Sequence, residues 1–147
     1  MFKKLALFTT TLLSFSQLHA SDWFELSSDN ERRHLVSLNY MNPIQPSYTS
    51  NPATEIEIWV KSVIHNDLTK DGMTVGDYAM TLYKLNCKNQ QMGLKQYATY
   101  TSQGKNLNSH TLSYINMTSP IPETVGARIL IGGCAALDIY NNPQKYT

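Results

Sequence analysis

Between residues 55 and 65 the chain reads EIEIWVKSVIH, and no other stretch limits the fold so strongly. Ile56, Ile58, Val60 and Ile64 fall on one side of an extended backbone; Glu55, Glu57, Trp59, Lys61 and His65 fall on the other. A period of two is the strand period, because successive side chains leave opposite faces of the pleat. The segment predicts a strand with one apolar face for a core and one mixed face pointing away from it.

Shorter strand-like runs surround it, at residues 22–26, 34–40, 78–87, 92–101 and 107–114. Turn chemistry separates them: Asp71-Gly72, then Lys88-Asn89-Gln90-Gln91, then Ser102-Gln103-Gly104-Lys105. Six short strands at hairpin spacing predict an antiparallel sheet. Residues 41–54 hold Pro43, Pro46 and Pro52 among Asn, Ser and Thr, which predicts a loop, since a central strand cannot spare three amide donors. The last element has another period. After Pro120-Ile121-Pro122-Glu123-Thr124 comes VGARILIGGCAALDI, with Val125, Ile129, Gly132 or Gly133, and Leu137 at helical spacing. Thr124 is placed to cap the first free amides of that helix. The Gly132-Gly133 pair lowers helix propensity by roughly 1 kcal/mol per glycine but lets the helix approach another surface closely. The expectation is an α+β fold: about six antiparallel strands, one C-terminal helix packed on one face, and Cys134 of the helix reaching Cys87.

The N-terminus predicts export. Lys3 and Lys4 precede an apolar run from Leu5 to Leu13 with Phe15, and Ala20 offers a small residue for cleavage, so residues 1–20 read as a signal peptide. The apolar run is broken by Thr9, Thr10, Thr11 and Ser14, short of the about 20 apolar residues a spanning helix needs. The expected organisation is then a single domain over residues 21–137 and a polar tail over 138–147. No cysteine follows the apolar run to carry a lipid, and no membrane span is expected in the mature chain. Cys87 and Cys134 make an even pair in an oxidising compartment and form no CxxC, which favours a structural disulfide over a redox pair.

Little in the sequence suggests catalysis. There is no GxSxG, HExxH, Walker-type loop or CxxC. His34, His65 and His110 stand on three separate segments without metal-ligand spacing, and Glu55 and Glu57 read as a solvated face alongside Lys61. Neither a cofactor nor a metal is expected. Charge is more informative. Residues 21–77 hold nine acids against Arg32, Arg33, Lys61 and Lys70, whereas residues 78–122 hold no acid at all. In that second stretch Lys84, Lys88, Lys95 and Lys105 accompany Tyr97 and Tyr100, and these six are the candidate partner-binding residues. Alternation puts Lys84 on the face opposite Cys87, with Asn86, Leu82, Met80 and Tyr78. Clustered lysines attract anions and aromatics concentrate at interfaces, so this face is either a partner surface or a solvated sheet that pairs with the acidic half.

Several residues in order resemble the surface-adhesin protein E family of exported bacterial proteins. They are Trp23 with Leu26, the pair Ile58-Trp59, Leu85-Asn86-Cys87 followed by Tyr97, Tyr100 and Gly104, and the run Ser119-Pro120-Ile121-Pro122-Glu123-Thr124 before the last helix. The resemblance covers nearly all of Trp23 to Leu137. It implies a six-stranded antiparallel sheet with the helix tied to its concave face, and binding of host extracellular proteins, often as a dimer. Asn86 departs from the family's usual Asp, and the proline-rich loop looks longer than usual. The expectation for function is an exported protein, periplasmic or at the cell surface and not lipid-anchored, that binds without catalysis. Its expected partners are host matrix protein, an envelope protein or polyanionic glycans, not nucleic acid. The alternative is a periplasmic structural or assembly protein that docks an envelope partner or forms a homodimer through its exposed sheet face.

Overall fold

Burial follows the alternation of residues 55–64 position by position: Ile56, Ile58, Val60, Ser62 and Ile64 are buried, and the residues between them are half-exposed. The computed structural model describes residues 22–46 and 51–147. The signal-peptide segment 1–20, Ser21 and positions 47–50 of the proline-rich stretch lie outside the described residues.

The strands are β1 (Phe24–Ser28), β2 (Arg32–Ile44), β3 (Glu55–Ile64), β4 (Tyr78–Asn86), β5 (Gln91–Tyr100) and β6 (Asn106–Thr111), followed by the helix α1 (Val125–Asn141). They form one antiparallel sheet in the order β1-β2-β3-β4-β5-β6, each pairing with its sequence neighbour. The expected α+β architecture is therefore present. The helix covers one face, called inner here. Val36, Ile56, Ile58, Val60, Leu85 and Met92 from the sheet meet Ile129, Leu130 and Leu137 from α1 in a single core. Each such side chain stabilises the fold by roughly 1.5–3 kcal/mol through burial, so the helix is held by its own apolar stripe.

Two devices fix how the helix sits. Thr124 Oγ1 accepts a hydrogen bond from the Ala127 amide at 3.3 Å, capping the first turn as its residue type predicts. The glycine pair then lets α1 lie against the sheet: a methyl at Gly133 would collide with Leu85 Cδ1, and one at Gly132 would lie 2.8 Å from Leu26 Cδ1. Half a turn of helix therefore rests directly on side chains of β1 and β4. Cys134, next to Gly133, bonds Cys87 just beyond β4 with 5.5 Å between the Cα atoms.

The structure departs from the sequence-based expectations in three places. Met41, Asn42, Pro43 and Ile44 belong to β2 instead of opening a loop. Pro43 is tolerated there because β1 pairs only as far as Val36, which leaves this end of β2 as a sheet edge on one side. Asp71-Gly72 does not close a tight hairpin. It lies in a longer connection where Lys70, Gly72 and Gly76 all take positive φ, pinned by Asp77, whose carboxylate accepts from the Thr74 and Ser102 amides at 2.9 and 2.8 Å. The polar tail is also shorter than expected. The helix runs through Asp138, Ile139 and Tyr140 to Asn141 before a 3-10 turn, Pro143–Lys145.

Candidate binding face

Among the described residues, no helix lies on the outer face of the sheet. Register places Glu57, Lys84 and Gly93 side by side there, then Trp59, Leu82 and Gln96, then Lys61, Met80 and Ala98. Lys84 and Asn86 therefore share the face opposite Cys87, as alternation implies. The lysines are not free, however. Lys84 Nζ lies 2.9 Å from Glu55 and Lys95 Nζ lies 2.5 Å from Glu57, both acids being on β3. The meander brings the acidic half of the sequence under the basic half, so the two charge blocks cancel on this surface.

The six candidate residues do not form one patch. Lys84, Lys95 and Tyr100 belong to the outer face. Tyr97 pairs with Thr81 and His110 across the inner face, where its ring meets that of His110 at 5.8 Å. The bulge at Lys95 produces the split: it shifts the register of β5 between Leu94 and Gln96 and turns Lys95 outward. Lys88 and Lys105 sit in turns, before β5 and before β6 respectively.

What the outer face does carry is a row of rings. Tyr40 stacks on Trp23 with centroids 5.3 Å apart, and Tyr78 stacks on Tyr100 at 5.2 Å. Lys61 joins the two pairs, its ammonium 5.9 Å from the Trp23 ring and 4.3 Å from the Tyr78 ring. Such cation–π contacts each contribute about 0.5–1 kcal/mol at exposed sites. The row crosses the sheet from the β2 edge to β5. Alternation alone places Tyr78 and Lys61 on this face, but only the register aligns them with Trp23 and Tyr40.

Beside this row is a hollow. The register of β2 against β3 breaks between Val36 and Met41, so Ser37, Leu38, Asn39 and Tyr40 all stand opposite Trp59. The resulting bulge opens a space of about 420 Å³ lined by Asn39, Tyr40, Met41, Asn42, Glu57, Trp59 and Leu82. The sequence gives only a faint sign of it: HLVSLNY, with Leu35 and Val36 adjacent, alternates less cleanly than residues 55–65 but does not locate a bulge.

The histidines are less scattered than their spacing suggests. His34 Nε2 lies 3.2 Å from Asp29 Oδ2 and His34 Nδ1 lies 2.9 Å from Ser62 Oγ. His65 Nε2 donates to the Asp29 carbonyl at 2.9 Å. Asp29 Oδ1 also accepts from the amides of Glu31 and Arg32. Partial burial pushes the Asp29 pKa up. The Arg32 and Glu31 amides and the hydrogen bond and charge of His34 outweigh it, holding the value at about 2. An Asp–His–Ser chain has the atoms of a nucleophilic relay, but Ser62 is buried on β3, where its hydroxyl cannot meet an incoming carbonyl. The chain ties the β1–β2 turn to β3. Among the described residues, no group of three or more His, Cys, Asp or Glu could hold a metal ion, and no helix is long and apolar enough to cross a membrane.

No family model, curated protein or solved structure matches the chain.

Proposed function

We propose that the chain is an exported bacterial binding protein of the surface-adhesin E type, engaging an extracellular protein through its outer sheet face and doing no chemistry. One observation carries this: the sheet face opposite α1, covered at the Gly93 corner by residues 115–117 but bearing no helix among the described residues, presents an ordered row, Tyr40, Trp23, Lys61, Tyr78 and Tyr100. Aromatic side chains are enriched, and charges depleted, at the centres of protein interfaces. Rings already stacked on one another lose little further freedom on binding. Because Glu55 and Glu57 neutralise Lys84 and Lys95, this surface suits a protein partner better than a polyanionic glycan.

That same pairing of Lys84 and Lys95 with acids favours a second reading, a periplasmic structural or assembly protein that docks an envelope partner or a second copy through the same face. Cell fractionation separates the two: surface or medium localisation fits adhesion, and strict periplasmic retention fits the envelope role. Binding to immobilised matrix proteins tests the face directly. A Tyr78→Ala, Tyr100→Ala variant should bind more than about tenfold more weakly, each hot-spot ring being worth at least roughly 1–2 kcal/mol. It should keep its sheet signature in circular dichroism. If the variant binds as well as the unaltered protein, and light scattering shows the same mass for both, the outer face is not the binding surface.

A further inference from the structure

We infer that the hollow beside the aromatic row is a subsite for a ring of a neutral oligosaccharide. The inference deepens the proposal above, on which it rests, by naming a ligand class for one part of the same face.

The hollow is built at a cost to the sheet. Four residues of β2 oppose Trp59 alone, so the ladder is interrupted where β2 should be paired most tightly with β3. Ser37, in this bulge, is 1% exposed and its hydroxyl has no hydrogen-bond partner among the described residues. Buried polar groups left unpaired are uncommon in native folds, and bulges concentrate where a side chain must be re-aimed at a functional site. Here the re-aimed side chains are those of Asn39 and Tyr40.

The lining then selects the ligand. Trp59 and Tyr40 supply flat apolar surfaces of the sort on which the C–H face of a pyranose packs, and Leu82 adds to that apolar area. Asn39 and Asn42 each offer a carbonyl acceptor and two N–H donors, which suits hydroxyl groups that both give and accept. Charge decides between classes. Glu57 is the one ionised group in the lining, and it is held by Lys95 at 2.5 Å. A quaternary ammonium would need a cage of several rings around the cation, where the lining has only Tyr40 and Trp59, and a polyanion would need a free cation. The site offers neither. Its walls are also preset: Tyr40 is backed by Trp23 at 5.3 Å, Glu57 is fixed by Lys95, and Trp59 sits opposite Leu82 in the ladder. A volume of about 420 Å³ falls within the usual range for small-molecule sites, roughly 300–1,000 Å³.

The experiment is a titration of the isotope-labelled mature protein followed by NMR, watching the Trp59 indole N–H and the Asn39 and Asn42 side-chain amides. Cellotriose, maltotriose and N,N′,N″-triacetylchitotriose are the neutral probes, separating β- from α-linked and plain from N-acetylated rings. Choline chloride and a heparin-derived hexasaccharide are the charged comparisons. At least one neutral trisaccharide should shift these signals saturably, and the charged probes should not. Trp59→Ala and Asn42→Ala should each weaken that binding about tenfold or more; Asn42 is exposed, so its variant answers even if Trp59→Ala unfolds. The inference is overturned if none of the three sugars moves the signals, if choline or heparin moves them instead, or if both variants bind sugar unchanged. Matrix-protein binding measured on the same samples keeps the two proposals apart: if it survives without any sugar response, the ligand class is wrong and the docking face stands.

Discussion

The Lys95 ammonium lies 2.5 Å from the Glu57 carboxylate, reaching from β5 across β4 to β3. With Lys84 bound to Glu55 at 2.9 Å, the contact leaves both lysines of the lysine-rich stretch that reach the outer face paired with acids. Removing the acids should therefore expose the bases. A Glu55→Gln, Glu57→Gln variant should elute from a heparin column at higher salt than the unaltered protein, because two released lysines attract a polyanion and salt screens that attraction. Identical elution of the two proteins would show that the pairs do not mask the lysines. The effect on stability should be small, about 1 kcal/mol or less per pair, since these are partly exposed contacts.

Acid should act through Asp29. Its folded pKa of about 2 lies below the ordinary 3.8, held down by the amides of Arg32 and Glu31 and by His34 despite partial burial. A depressed carboxylate stabilises the fold above its ordinary pKa, and that stabilisation is lost as pH falls through the folded value. Between about pH 4 and pH 2 the unaltered protein should lose stability more steeply than an Asp29→Asn variant, with urea midpoints as the measure. Parallel curves for the two would remove Asp29 from the acid response.

Gly133 should be the least replaceable residue of α1. A methyl there collides with Leu85 Cδ1, and Leu85 is fully buried against Ile58 and the helix, so it has nowhere to move. Gly133→Ala should cost about 1–3 kcal/mol through overpacking, partly offset by the roughly 1 kcal/mol that alanine adds to helix propensity. Gly132→Ala meets only the end of the half-buried Leu26 side chain. Its change in stability should be smaller, and chemical denaturation of the two variants side by side decides the order.

Local pattern carried most of the fold. The EIEIWVKSVI alternation, the turns around Lys88–Gln91 and Ser102–Lys105 and the Thr124 cap are each set by neighbours in sequence, and all have the structure their residues imply; only the Asp71-Gly72 turn does not. What was not legible depends on register. Whether Pro43 can sit in a strand is decided by how far β1 extends beside it, and HLVSLNY does not announce that four of its residues span the place of Trp59 alone in the ladder. The six candidate residues lie on more than one surface for the same reason. Lys84, Lys95 and Tyr100 share a face, but one extra residue at Lys95 sends Tyr97 to the other side, and the acids that pair with the lysines lie 29 and 38 positions earlier. Trp23, Tyr40 and the outward Trp59 were visible as aromatics but not as neighbours.

The bond between Cys87 and Cys134 joins the end of β4 to the middle of α1 across a sequence separation of 47. Closing a loop of that length restricts the unfolded chain and stabilises the fold by ~4 kcal/mol in the chain-entropy description. The folded side of the balance does not depend on it alone. Ile129, Leu130 and Leu137 are buried beneath the helix and hold it to Ile56, Ile58 and Leu85 without any covalent help. Replacing both cysteines by alanine should therefore leave a native-like protein with its helix docked, but less stable by about 2–5 kcal/mol. Urea unfolding gives the difference, and hydrogen exchange across α1 reports the docking. If the helix amides of the variant exchange as freely as those of a disordered chain while the sheet stays protected, the disulfide, not the apolar stripe, is what keeps the helix on the sheet.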